Sequence, residues 1–534
     1  MDEQILKFCL EKGILLDKDM FNSLKNLDAN IAREIIKKLS EITHEKFITR
    51  ASFDRNKEII QSSVSDNEKK TVESLCINLG VRLEITKKIS EKEANLNNHE
   101  NDKKTYQAED RKDIISNVKV LNSSFTPGRK ISVEDFVIHL RARFNELRKI
   151  LQEHGELNDL VSISKLNGGR QGISIIGMVV NKRITKNKNI LLEVEDLTGR
   201  TTALINSNKP ELFQLSKNIV LDDIIGMKGA TNGELFFVNN IIYPDSMLHE
   251  KKKLPIEESA AFISDVHIGS KMFLEKNFLR FIDWLNGMQG DEEQMQEALK
   301  IKYLFLTGDN VDGVGIYPGQ EELLNIKDVE GQYFRLAEIL SKIRKDVKII
   351  ICPGQHDSVR VAEPQPPLTK EYAGKIYELE NVILVSNPSL VEIGGGEMGE
   401  RGFKVLIYHG DSLIEMINNI EELRMIRAHD TPAKIVKHLL LRRHLAPIHS
   451  SVLYVPGEQD SLAIKEVPDI IVTGDLHRPD IDMYNNILVI CCSCWQSMTP
   501  FEEKVGNHPD PCKVPILNLK TRAIKVLDFS NADE

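Results

Sequence analysis

Apolar residues follow two different periods along this chain. Near the start, Ile5, Leu6, Cys9 and Leu10 fall on one helical face, Gly13 closes that turn, and Leu24, Leu27, Ile31, Ile35, Leu39 and Ile42 continue the helical spacing. A small helical domain is expected over 1–50. Residues 90–112 hold almost no apolar side chains and cannot offset the entropy of ordering, so 51–130 is expected to be a largely disordered, charged linker. Ser132 then caps a predicted helix with Phe136, Leu140, Phe144, Leu147 and Leu151 on its apolar side. From 160 to about 245 the period shortens. Runs such as GISIIGMVV, NILLEVEDLTG and LFFVNNIIY alternate with Gly, Asn and Asp turns. About five such strands suit an all-β OB-fold, so 131–250 reads as a leading helix and a small barrel. Beyond 255 the pattern becomes strand–helix–strand. Ala260–Ser264, Tyr303–Thr307, Val347–Cys352, Val405–Tyr408 and Ile470–Thr473 read as buried strands, and Tyr333, Leu336, Ile339, Leu340 and Ile343 mark a helix between two of them. That is an α/β pattern over 255–534.

Composition adds limits. Acidic residues number 80 against 70 Lys and Arg, for a net charge of −10, which argues against a protein that coats duplex nucleic acid through many phosphate contacts. A charged fraction of 28% fits a polar linker between folded parts. Charged residues break up the first 16 positions and no apolar run is long enough to span a bilayer, so a soluble, cytoplasmic chain is expected. The seven cysteines have no framework spacing. Cys491, Cys492, Cys494 and Cys512 lack the paired spacing of a zinc site and are expected as buried thiols. The Gly394–Gly396 run is not followed by a P-loop Lys and is expected as a turn.

The chemistry lies where the five α/β strands end. They run into Asp265-Val-His267, Gly308-Asp309-Asn310-Val311-Asp312, Gly354-Gln355-His356-Asp357, His409-Gly410-Asp411 and Gly474-Asp475-Leu476-His477. Open α/β sheets gather ligand sites at the carboxyl ends of their strands. Mixed Asp and His suit a borderline ion such as Mn²⁺ or Zn²⁺, and more than four candidate ligands suggest two ions able to clamp a phosphate. Each piece alone is weak, since an isolated Gly-Asp is usually a turn and a lone His is usually structural. Five in order after five predicted strands are much harder to dismiss.

This order resembles the calcineurin-like metallophosphoesterase superfamily over roughly 258–500. The resemblance implies a two-sheet sandwich flanked by helices. It implies one divalent ion on Asp265, His267, Asp309 and His477, and a second on Asp309, Gln355, His409 and Asp475. Mn²⁺ is the expected ion, with Mg²⁺ and Zn²⁺ as alternatives. It further implies that His356 protonates the leaving oxygen while Asp357 orients His356 by a hydrogen bond. Two positions depart from the superfamily pattern: Gln355 stands for Asn and Asp475 for the first His of GHxH. Both fall on the second ion: Gln keeps a carbonyl oxygen and adds a methylene, whereas Asp adds a negative charge and favours a harder ion.

The layout as a whole, with PGQHDSVR at 353–360, LLLRRHLAPIHSS at 439–451 and CWQSMTPFEEKVGNHPDPCKVPILNL at 494–519, is similar to the small-subunit family of archaeal family-D DNA polymerases. That resemblance implies a 3′→5′ exonuclease that trims mismatched primer ends and releases nucleoside monophosphates. It implies a partner large subunit, DNA 3′ ends, contact with sliding clamp and primase through the complex, and a nucleoid-associated location. Arg442 and Arg443 are candidate contacts to the strand backbone, with a solvated helix face or a subunit contact as the other readings. The rival is a scaffolding B-subunit without catalysis. A free-standing phosphatase is a third possibility, for which the barrel and helical module are superfluous.

Overall fold

The computed structural model describes residues 118–123, 130–395 and 401–530, with short pieces of the first 88. The helical domain expected at 1–50 and most of the linker expected at 51–130 therefore lie outside the described residues. The chain divides into two compact units, residues 1–85 with 481–483, and residues 86–480 with 484–534. The second carries the barrel and both large sheets.

The linker expectation fails at its end. Residues 118–122 form a strand, β1 (Val118–Asn122), paired antiparallel with Ser389–Ile393. Its sequence alone has too little apolar surface to announce a strand. An edge partner supplies the backbone hydrogen bonds instead, and the Ser123 hydroxyl adds side-chain and backbone bonds with Ser386.

Helix α1 (Val133–Gln152) starts where Ser132 predicts. The Asp135 carboxylate accepts from the Ser132 N–H at 2.8 Å and its hydroxyl at 3.0 Å. Phe144, Leu147 and Leu151 are buried as expected, together with His139 and Arg143. Five strands follow: β2 (Arg170–Ile184), β3 (Ile190–Asp196), β4 (Gly199–Ile205), β5 (Ile224–Thr231) and β6 (Leu235–Ile242). They close a barrel in the order β2-β3-β4-β6-β5, sealed by a parallel β4–β6 pair. Ile175, Val179, Ile190, Leu192, Val194 and Met227 fill its interior. Closure leaves no sheet edge to pair with another chain.

The α/β part holds two sheets. The first contains, in order, β10 (Val382–Leu384), β9 (Lys348–Cys352), β8 (Ile301–Thr307), β7 (Ser259–Ile263), β15 (Lys513–Asn518) and β16 (Ile524–Asp528). β7 to β10 are mutually parallel, and β15 and β16 run antiparallel. The second contains β14 (Ile487–Cys491), β13 (Ile470–Thr473), β12 (Phe403–Ile407), β11 (Ser389–Ile393) and β1, with β12, β13 and β14 parallel. Every residue of β7, β13 and β14 is buried, as parallel strands covered on both faces require. Helices α2 (Glu275–Leu285) and α3 (Val329–Leu340) pack Phe278, Phe281, Trp284, Tyr333 and Leu336 against the first sheet. Helix α4 (Pro432–Arg442) places Ile435, Val436, Leu439 and Leu440 in the core of the second. Gly394 leaves β11 with φ 72°, consistent with a turn, although Gly396 lies outside the described residues.

Arg442 and Arg443 require a correction. Both are buried, at 3% and 8% exposure, and face protein. Arg442 reaches into the barrel, where Nε lies 2.7 Å from Asp223 and Nη2 donates to the Asn218 carbonyl at 2.6 Å. Arg443 donates to the Ile464 and Lys465 carbonyls, each at 2.7 Å. The basic pair is consumed in joining α4 to its neighbours and has nothing left for a phosphate. Lys182 of the barrel is similarly committed, to the Lys217 and Ile219 carbonyls, both at 2.7 Å.

Candidate metal centre

The first sheet sends β7, β8 and β9 toward one edge, and the second sends β12 and β13 toward the same place. Cross-bonds tie the loops beyond them: Asp265 N–H donates to the Gly308 carbonyl at 3.1 Å, His267 N–H to Asp309 at 3.1 Å and Gly474 N–H to His409 at 2.7 Å. Asp265, His267, Asp309, Asp475 and His477 all adopt positive φ, between 47° and 69°. Such a backbone is uncommon outside glycine and marks segments held in place by their surroundings. The neighbouring glycines admit the ligands. A Cβ on Gly354 would lie 2.2 Å from Asp309 Oδ1 and 2.8 Å from His409 Nε2, and Gly308, at φ 89°, would strike the His409 ring.

The result is one cluster. Its ligand atoms form three overlapping groups within 4.8 Å: Asp265–His267–His477, His267–Asp309–His356 and Asp265–Asp309–His409. Asp309 stands at the centre. Its Oδ2 lies 3.4 Å from His409 Nε2, 3.9 Å from His356 Nε2 and 4.0 Å from His267 Nε2. His477 Nε2 lies 3.4 Å from Asp265 Oδ1, and His409 Nε2 is 4.0 Å from Asp475 Oδ1.

Hydrogen bonding fixes the imidazoles. Each of the four has an oxygen at Nδ1: Asp312 Oδ1 at 3.1 Å for His267, the Asp312 carbonyl at 2.8 Å for His356, the Thr307 carbonyl at 2.8 Å for His409, and Glu502 Oε1 at 2.8 Å for His477. Nδ1 therefore carries the proton, and all four Nε2 atoms turn inward. His267 and His477 bring their Nε2 atoms to 3.3 Å of each other. Two imidazole lone pairs at that distance repel unless positive charge lies between or beside them. Among the described residues, His409 Nε2 and Asp475 Oδ2 are buried without hydrogen-bond partners. Burial would lower the His409 and His477 pKa values, yet Asp309, with Asp265 and Asp475, holds His409 well above the ordinary imidazole value, and Cys494, with Asp265 and Glu502, does the same for His477. The donor set thus calls for cations, and its oxygens and nitrogens fit divalent ones.

One expected role changes, and one expected ligand has an added partner. Among the described residues, Asp357 makes no hydrogen bond to the His356 ring, whose Nδ1 lies 2.8 Å from the Asp312 carbonyl. Asp357 accepts from the Gly354 N–H at 2.9 Å, from Asn310 Nδ2 at 3.0 Å and from the Tyr333 hydroxyl at 2.9 Å, so it clasps the β9 loop to the β8 loop. Gln355 donates its amide to Asp475 Oδ1, so the two unusual residues are paired with each other. Burial, with the Asp265, Asp411 and Asp309 carboxylates nearby, pushes Asp475 up to about 7 despite the opposing effect of His409. A proton on Asp475 competes with a cation for the same oxygen. Occupancy beside His409 and Asp475 is therefore expected to rise with pH through about 7. Mn²⁺ titrations at several pH values check this, and a pH-independent second binding step would contradict it.

The sequence had hidden two supporting carboxylates. Asp312 sat in the recognised string without a role. Glu502 could be read only as half of a capping box. In the structure its Oε2 accepts from the Thr499 N–H and hydroxyl, both at 2.9 Å, while Oε1 holds His477. Replacing Glu502 by Gln should weaken binding of the ion on His477 by about 10–100-fold. Calorimetry with Mn²⁺ measures it, and unchanged affinity would remove Glu502 from the site. Cys491, Cys492, Cys494 and Cys512 are buried, as expected.

Comparison with known proteins places the chain. The family profile for the B-subunit of DNA polymerases alpha and epsilon matches residues 260–481. The DNA polymerase II small subunit of Methanothermobacter thermautotrophicus is 38% identical over 419 residues, covering 78% of this chain and 83% of that one. The chain belongs to the archaeal DNA polymerase II small-subunit family. The small subunit of Pyrococcus abyssi is 37% identical across 77% of this chain and 65% of its own length. Among solved structures, an archaeal phosphodiesterase aligns over 50% of this chain with 12% identity and a TM-score of 0.25. No described helix is long and apolar enough to cross a membrane.

Proposed function

We propose that this small subunit is a two-metal 3′→5′ exodeoxyribonuclease working beside a polymerase large subunit, and that its five-stranded barrel is an OB-fold. The observation that carries the reading is the set of four inward-facing Nε2 atoms around Asp309, each fixed through Nδ1. Asp265, His267, Asp309 and His477 would hold one ion, and Asp309, Gln355, His409 and Asp475 the other, with Mn²⁺ the best match and Mg²⁺ or Zn²⁺ the alternatives. Bound there, the pair would neutralise a phosphodiester and activate water. The chain's own residues do the rest. Asp309 stands between the two sets and fixes their spacing. His356 is the most exposed of the four histidines, at 21%, with Nε2 facing the cluster. It delivers a proton to the departing 3′ oxygen while the Asp312 carbonyl holds its other nitrogen. The large subunit supplies the polymerase site, and clamp and primase are reached through it.

The test is digestion of a 3′-mismatched primer by the chain, alone and with the large subunit, in Mn²⁺. Stepwise release of nucleoside monophosphates is expected, falling by about 10²–10⁴-fold in His356→Ala with metal binding retained. Tight association with the large subunit and no digestion would instead make the chain a scaffold.

A further inference from the structure

The centre is most exposed at two of its histidines. His356 and His477 are 21% and 12% exposed, whereas His267, His409, Asp265 and Asp309 are at most 4% exposed. Over His477 lies the segment 498–510, which includes helix α5 (Pro500–Val505). Three bonds fasten it to the ligand loop. Glu502 holds His477 Nδ1 at 2.8 Å, the Asp510 N–H donates to the His477 carbonyl at 3.0 Å, and Arg478 Nη1 donates to the His508 carbonyl at 2.6 Å. On this fastened lip Phe501 is 69% exposed and Met498 39% exposed. Phe501 directly precedes Glu502, and Arg478 directly follows His477. The Arg478 side chain is 25% exposed, and its guanidinium is oriented by protein, Nη1 by the His508 carbonyl and Nε at 3.7 Å from Asp430.

A solvent-facing aromatic ring and an oriented guanidinium, both one residue from groups that build the centre, are the parts of a single-strand platform. Bases stack on such rings without regard to sequence, and the cation tracks the phosphates. We infer that this lip seats the unpaired 3′-terminal nucleotides of a single strand, Phe501 stacking a base and Arg478 contacting the adjoining phosphate, so that a frayed end is selected over a paired one. The inference rests on the nuclease reading and adds the side chains that would seat the strand end. Both are positioning residues. Phosphate contact, assigned from sequence to Arg442 and Arg443, moves to Arg478.

The test uses the full chain with Asp309→Asn, which prevents digestion, and a single-stranded oligodeoxythymidylate ending in 3′-terminal 2-aminopurine. Binding should alter the 2-aminopurine emission. Adding Phe501→Ala should abolish that change and weaken binding about tenfold, and Phe501→Trp should restore both. Arg478→Ala should keep the emission change but flatten the salt dependence by about one phosphate, a slope difference of roughly 0.7. Phe334→Ala, on the exposed face of α3, should do nothing. Parent-like emission and affinity in Phe501→Ala, or a parent-like salt slope in Arg478→Ala, would overturn the lip assignment. The two readings fail separately. Phe501-dependent stacking in a chain that, with Asp309 intact, digests no 3′ end removes the nuclease and leaves the lip. Digestion that is indifferent to Phe501 and Arg478 removes the lip and leaves the nuclease.

Discussion

On the proposed two-metal nuclease reading, replacing Asp309 by Asn is expected to reduce Mn²⁺ binding from two ions to at most one and to lower exonuclease turnover by at least about a thousandfold, ~4 kcal/mol of barrier. The reason is positional. Asp309 belongs to two of the three ligand groups, and three imidazole Nε2 atoms lie within 4.0 Å of its Oδ2. Its Oδ1 also accepts from the His356 N–H at 2.9 Å, so the same carboxylate ties the β9 loop to the centre. Although burial opposes ionisation, His409, His356 and His267 hold the group far below the usual carboxylate range, as a permanent anion. Asn keeps the shape and loses that charge. Calorimetry gives the stoichiometry and a primer-digestion assay the rate. Two ions bound with undiminished turnover would show that Asp309 does not bridge.

The second large effect concerns how α1 is held. Asp460 is fully buried and receives Arg143 Nε at 2.6 Å, His444 Nε2 at 2.9 Å and, at 3.5 Å, His139 Nε2. Arg143 also donates to the Pro447 carbonyl at 3.2 Å. Removing one partner of a buried pair strands the other charge, so Asp460→Asn should cost about 3–5 kcal/mol. The loss should appear as faster amide exchange across α1, measured by mass spectrometry, and unchanged exchange there would contradict it.

The same cluster makes a pH prediction. Burial would raise the Asp460 pKa, but Arg143 and the imidazoles hold it well below the usual range, so its contribution is present above about 4 and is lost as pH falls further. Burial and Arg143 lower His444 to about 4, and burial lowers His139. These imidazoles are neutral when folded and take up protons when unfolded. The contribution of this cluster should therefore begin to fall below pH ~6.5 and continue falling through about 4. The difference in urea midpoint between the parent chain and His444→Phe measures it, and a difference that stays constant between pH 7 and 4 would refute this.

Much of the architecture was legible because burial on both faces leaves a short, continuous apolar run. Tyr303–Thr307 and Ile470–Thr473 were read from such runs and appear within β8 and as β13. All five barrel strands were read from alternation and turn residues. The clustering of Asp265, His267, Asp309, His409 and His477 was legible for a related reason: each follows a strand closely, and parallel strands put such residues at one edge. β1 was not legible, because its partner β11 is about 270 residues away in sequence, and pairing is a property of the edge that receives it. The basic pair was misassigned because charge in a sequence carries no direction. Whether Arg442 faces phosphate or Asp223 depends on where the barrel docks.

Local period and spacing along the chain were enough to settle which side chains are present at the centre, which strands carry them and in what order they follow. How those side chains are held was settled by packing in three dimensions. Glu502 behind His477, Asp312 behind His267, the Thr307 carbonyl behind His409 and Asn310 against Asp357 are contacts between residues 25 to 102 positions apart. Hydrogen bonds reach about 3 Å, and no local pattern records which distant atom comes within that reach once two sheets have packed.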